Sequence, residues 1–173
     1  VPYAWRYRAG AEAEVLLRLR TPTAPITRFT LRLIAERRGH QVDIRIMLLD
    51  RDDLGADARL LLVGHISEAL ATCGLMRTTL SASRIDYVTR EANEAATVSI
   101  AGTVRHQDIA GLVEHLRQTG RLTPAFLIHV LCSGKVDFFS GAICNLSGLD
   151  DQRVRSILAT GRMHAVRALF EAA

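Results

Sequence analysis

Glycines at positions 102, 120, 134, 148 and 161 each follow a segment of about 10 to 20 residues in which apolar side chains recur at helical spacing. That punctuation limits the fold more than any other feature, because a helix interrupted this often must turn back on its neighbour. Earlier in the chain, Leu54, Ala58, Leu61, Leu62, Ala69, Leu70 and Cys73 form a stripe at offsets 4, 7, 8, 15, 16 and 19. Asp53 stands where a cap would accept backbone N–H groups, and Gly74 where a left-handed residue would end the helix. Ser83 with Asp86 resembles a capping box, ahead of a face made of Ile85, Val88, Ala92, Ala95, Ala96 and Ser99. Thr123 before Pro124 and Asp150 before the Val154–Leu158 segment mark two further starts. The spacing predicts helices over 54–73, 83–101, 107–119, 124–133, 136–147, 150–160 and 163–172. Their short connections imply antiparallel neighbours.

The first 50 residues are less regular. Residues 11–20 read as a helix, and Thr21-Pro-Thr-Ala-Pro25 as a turn. In 41–49, Val42, Ile44, Ile46 and Leu48 alternate strictly, a strand signal. An isolated hairpin lacks a sheet to join, so two helices over 26–38 and 41–49 are favoured and a hairpin is the alternative. The string beginning Thr119-Gly120-Arg121 is echoed at Thr160-Gly161-Arg162, an offset of 41 residues that suits HEAT-like helix pairs.

The stretch from Arg121 to Phe170 resembles the carboxy-terminal part of a bacterial family known as domain of unknown function 2336. The resemblance rests on Gly120-Arg-Leu-Thr-Pro124, Leu131-Cys-x-Gly134, Phe138-Phe139, Leu146-x-Gly148 and Val154-x-x-x-Leu158, with Arg90-Glu-Ala-Asn-Glu-Ala-Ala-Thr97 upstream. It covers about residues 50–173 and leaves the first 50 unplaced. It implies a helical, solenoid-like fold and supplies no activity, cofactor or catalytic residue.

Composition narrows the function classes. Hydrophobic residues make up 49% of the 173, yet no apolar run approaches the ~20 residues of a membrane span. No charged segment followed by an apolar stretch opens the chain, and a start at Val1 reads as a trimmed piece. Cys73, Cys132 and Cys144 are odd in number and lie in apolar runs, which suits buried thiols and a cytoplasmic location. Residues 1–46 hold nine Arg against Glu12, Glu14, Glu36 and Asp43, whereas the remainder holds 13 basic and 14 acidic residues. Such a basic third would steer toward anionic partners, although a solvated Arg-rich face accounts for it as well.

Constellations for chemistry are sparse. His129 and Cys132 share a helix and Cys144 lies on the next, but a structural zinc site wants four ligands and no fourth presents itself. Cys132 is therefore expected in the core beside Leu127, Val130 and Leu131, and His106 and His115 on solvent faces. Asp52-Asp53 and Asp150-Asp151 stand at helix starts, where capping explains them. The segments 136–147 and 150–160 resemble a helix-turn-helix in which Gln152, Arg153 and Arg155 would be the outward residues, with Asp150 and Asp151 facing the phosphates unfavourably; one solenoid unit explains the pair equally well. Tyr3, Trp5 and Tyr7, interleaved with Arg6 and Arg8, have the character of interface anchors, and packing on the chain's own first helices is the alternative.

The reading is an all-α chain, an irregular HEAT-like solenoid or bundle of antiparallel helices. Residues 1–50 form a divergent basic helical region and 51–173 the family-like part, together one continuous domain. No metal, cofactor or catalysis is expected. The expected function is protein interaction or scaffolding, with Tyr3, Trp5, Arg6, Tyr7 and Arg8 as the contact residues. Nucleic-acid binding through the Arg-rich amino-terminal region is the alternative, and an enzyme ranks last.

Overall fold

A computed structural model describes residues 9–173, and side chains from 13 onward. Helix accounts for 78% of the described residues, and no strand occurs among them. Two compact units result, residues 1–72 and 73–173.

In the first unit the helices are α1 (Ala9–Leu19), α2 (Arg28–Arg38), α3 (Val42–Leu49) and α4 (Ala56–Thr72). Thr27 starts α2 by accepting the Thr30 N–H at 3.2 Å, and the Gly39 N–H closes it on the Ala35 carbonyl at 3.0 Å. Helix α2 packs against α3 and α4. The core is aliphatic: Leu19, Leu31, Ile34, Ala35, Ile44, Leu48, Leu54, Ala58 and Leu62. The alternation over 42–48 is helical, not extended, because both faces of α3 are apolar. Ile44 and Leu48 point inward, one turn apart, while Val42 and Ile46 point outward.

The predicted stripe over 54–73 buries only through Leu54, Ala58 and Leu62; Leu70 and Cys73 are exposed. Gly74 does not end α4 in the left-handed conformation. It opens a short helix, α5 (Gly74–Thr79). Asp53 caps nothing either, since α4 begins at Ala56 and the Asp53 carboxylate binds Arg51.

The second unit continues with α6 (Ala82–Thr103), a single 3-10 turn over His106–Asp108, α7 (Ile109–Gln118), α8 (Pro124–Cys132), α9 (Val136–Ser147), α10 (Asp151–Thr160) and α11 (Met163–Ala172). Thr123 and Asp150 cap α8 and α10 by accepting the Phe126 and Arg153 N–H groups. The cap of α6 is Ser81, not Ser83, and its buried face is Ile85, Thr97, Val98 and Ala101, with Ala92, Ala95 and Ser99 exposed. Thr97 can sit inside because its hydroxyl donates to the Asn93 carbonyl at 2.6 Å.

Helix α9 is the hub. Helices α6, α7, α8, α10 and α11 all pack on it, around the buried Phe138, Phe139, Ala142 and Ile143. Gly141 lets α7 approach: a methyl there would lie 2.9 Å from Ile109 Cγ2. Four of the punctuating glycines, 120, 134, 148 and 161, have positive φ and end helices as expected. Gly102 does not. It lies inside α6, where a methyl group would sit 2.5 Å from Cδ of Lys135.

Candidate protein-binding surface

The residues singled out for chemistry are dispersed. On α8, His129 and Cys132 are exposed, so Cys132 is not the core thiol expected; Cys144 on α9 is half-buried. Burial, and after it the carboxylates of Asp151 and Asp150, push the Cys144 thiol up, the opposite of what a nucleophile needs. His106 is exposed as expected, but His115 is buried at 8% exposure. Among the described residues, no group of three His, Cys, Asp or Glu side chains could hold a metal ion. The recognition-helix reading of α10 loses its central cation. Arg155 Nε donates to Asp151 at 2.7 Å and Nη2 to Asp137 at 3.0 Å, while Asp151 also accepts from the fully buried Ser140 hydroxyl at 3.0 Å.

One polar constellation escaped the sequence reading. Arg51 is 2% exposed, yet it is fully employed. Its Nε and Nη2 bind both Asp53 carboxylate oxygens at 2.8 Å, and Nη2 and Nη1 donate to the Ala24 and Thr21 carbonyls at 2.7 and 3.2 Å. This fork ties the turn after α1 to the loop before α4. The Arg51 hydrogen bond holds the Asp53 carboxyl below its ordinary value. A proline-bearing turn at 21–25 and an Arg-Asp-Asp run are its only sequence traces, and they lie about thirty residues apart.

The surface that stands out is apolar. Helix α8 carries no Asp, Glu, Lys or Arg. Leu127 and Val130 face the core, but Ile128 (58% exposed) and Leu131 (39%) face outward with Ala125 and Cys132. The expectation that Leu131 is packed inside is thus corrected. Arg121 and Lys135 stand at the two ends of α8, and both reach toward α6. Arg121 Nη2 donates to the Thr97 hydroxyl, and Lys135 lies across Gly102. A second two-faced helix is α3, whose outward stripe is Val42, Ile46 and Leu49. The predicted contact residues Tyr3, Trp5, Arg6, Tyr7 and Arg8 lie outside the described residues.

Compared with known families, residues 7–173 match the one described as an uncharacterised protein conserved in bacteria, domain of unknown function 2336. The chain belongs to this family. No curated protein and no solved structure matches it.

The domain of unknown function 2336 therefore takes in nearly all of the amino-terminal third that the motif resemblance left unplaced. Arg51, its buried fork and both two-faced helices fall within the match. Tyr3, Trp5 and Arg6 precede it, and Tyr7 and Arg8 stand at its edge. Among the described residues, no helix is long and apolar enough to cross a membrane.

Proposed function

We propose that this chain is a HEAT-like helical interaction module that holds a protein partner and carries out no chemistry. The outward face of α8 carries the reading. Ala125, Ile128, Leu131 and Cys132 expose apolar surface on a helix whose own sequence gives water nothing charged to hold. Apolar residues gathered in this way mark interaction sites more often than lone exposed ones do. Shared turn chemistry supports the HEAT-like part: Gly120 and Gly161, 41 residues apart, are both left-handed and each leads into a further helix.

Charge balance favours a protein over nucleic acid. The basic excess of residues 1–46 is offset once the acidic loop before α4 joins the same unit. Residues 1–72 and 73–173 each hold eleven basic and nine acidic side chains.

The test is capture of partners from the source cell by the full chain and by two variants, Ile128→Glu and Met163→Glu. Met163 is 77% exposed and lies on a different helix, α11, so it serves as the control. A protein retained by wild type and by Met163→Glu but lost with Ile128→Glu supports the reading. Equal capture by all three, or a steeply salt-dependent shift of mixed-sequence DNA, overturns it.

A further inference from the structure

We propose that the corner made by α5 and the start of α6 is a membrane-docking surface, one that lies on the headgroups of an anionic phospholipid bilayer without spanning it. Exposure is the first feature. Of residues 73–84, Met76 is half-buried and all the others are exposed, with Leu75 at 72% and Leu80 at 36%. No side chain of α5 is buried. A helix of six residues has little stability of its own, since isolated helices below about 12–15 residues are marginal in water. An apolar layer that takes up Leu75 and Leu80 supplies the support that its own unit does not.

Charge is the second feature. Residues 73–84 contain Arg77 and Arg84 and no Asp or Glu. Farther along α6, the guanidinium carbons of Arg84 and Arg90 lie 5.7 and 6.0 Å from the centre of the Tyr87 ring, which is 49% exposed. Among the described residues, no carboxylate forms an ion pair with Arg77, Arg84 or Arg90. Tyrosine and arginine together suit the headgroup layer, where the ring rests at the interface and the guanidinium reaches phosphate. The carboxylates of α6, Asp86, Glu91 and Glu94, all follow the corner and set the limit of the contact.

The third feature is the backbone. A helix end that enters a layer poor in water must bring partners for its carbonyls, because an unsatisfied one is costly there. The last turn of α5 carries them. The Thr79 and Thr78 hydroxyls donate to the Leu75 carbonyl at 2.8 and 3.0 Å, and the Met76 carbonyl accepts the Leu80 N–H at 2.9 Å. Ser81 then caps α6 by accepting the Arg84 N–H at 3.4 Å. Nucleic acid would use the arginines and leave Leu75 and Leu80 in water. A bilayer uses both, and it needs no matched groove.

The test is flotation of the full chain with phosphatidylcholine vesicles, prepared with and without phosphatidylglycerol. Binding is expected to be several-fold stronger on the anionic vesicles and to fall as salt rises. Leu75→Glu and, separately, the paired Arg84→Glu/Arg90→Glu variant should each lower it several-fold. Their helical circular dichroism should stay unchanged, because all three side chains are exposed. Ile128→Glu, on α8, should bind vesicles like wild type, which keeps this test separate from protein capture by that face. No binding to either vesicle, or equal binding to both, overturns the proposal. So does anionic binding that either corner variant retains in full. A protein partner lost with Leu75→Glu, from a chain that ignores vesicles, overturns it too and assigns the corner to protein.

Discussion

Arg51 shows how much a single buried cation can organise when all its donors are used. Its fork spans a 30-residue separation, joining Thr21 and Ala24 to Asp53. A buried arginine that loses its partners is costly, whereas removing the arginine leaves Asp53 half in water and two carbonyls short of a donor. Arg51→Met is therefore expected to lower stability by about 3 kcal/mol, at the low end for a broken buried pair, measured by urea unfolding. Asp53→Asn should cost less, and its cost should depend on pH. Because the folded carboxyl is held below the ordinary 3.8, the pair stabilises the fold above that value and the benefit is lost as pH falls through the folded value beneath it. Wild type and Asp53→Asn should thus differ near neutrality and converge in acid. A gap that persists in strong acid would show that Asp53 acts by shape and not by charge. The proline-bearing turn and the Arg-Asp-Asp run did not announce this residue, since propensity and periodicity are local and the fork is not.

Helix starts and stops were the most legible elements, because capping is chemistry within a few residues. Thr123, Asp150 and the left-handed glycines did what their types require. Failures came where two roles compete for one residue. Gly102 reads as a stop, but space for Lys135 accounts for it; Asp53 reads as a cap but serves Arg51. The period-two pattern in α3 kept a hairpin open beside the favoured helix for a related reason: a helix apolar on both sides shows no one-sided stripe, and α8 hid its outward face in the same way. Two glycines should respond oppositely to alanine. Gly148, at φ 71°, should lose about 1–2 kcal/mol, whereas Gly64, inside α4 with open space around it, should gain up to about 1 kcal/mol. Thermal unfolding checks both signs. Phe139, 1% exposed on the hub helix and 6.1 Å from the ring of Phe170, should cost about 3–5 kcal/mol as Phe139→Ala. An unchanged midpoint would mean that α9 is not the hub.

At the scale of the whole chain, helical class was legible from glycine spacing, and the apparent charge polarity was not. Polarity along a sequence survives only if the fold keeps the segment apart, and here Asp50, Asp52, Asp53 and Asp57 belong to the same unit as the arginines, with Asp57 3.4 Å from Arg32. Accordingly the full chain should show only weak, low-salt association with mixed-sequence DNA; tight binding that persists at physiological salt would contradict this. The acceptor of any contact surface was illegible for a plainer reason, since exposure is a property of packing and not of residue type. The lone lysine has a practical sequel. Twenty-one of the 22 basic side chains are arginine, so an acylating reagent meets one side-chain amine in the entire molecule. That amine lies across Gly102, partly covered. Its acylation rate, followed by mass, becomes a one-site clock for the seam where α6 meets the corner between α8 and α9. Gly102→Ala, by pushing the lysine outward, should make that clock run faster.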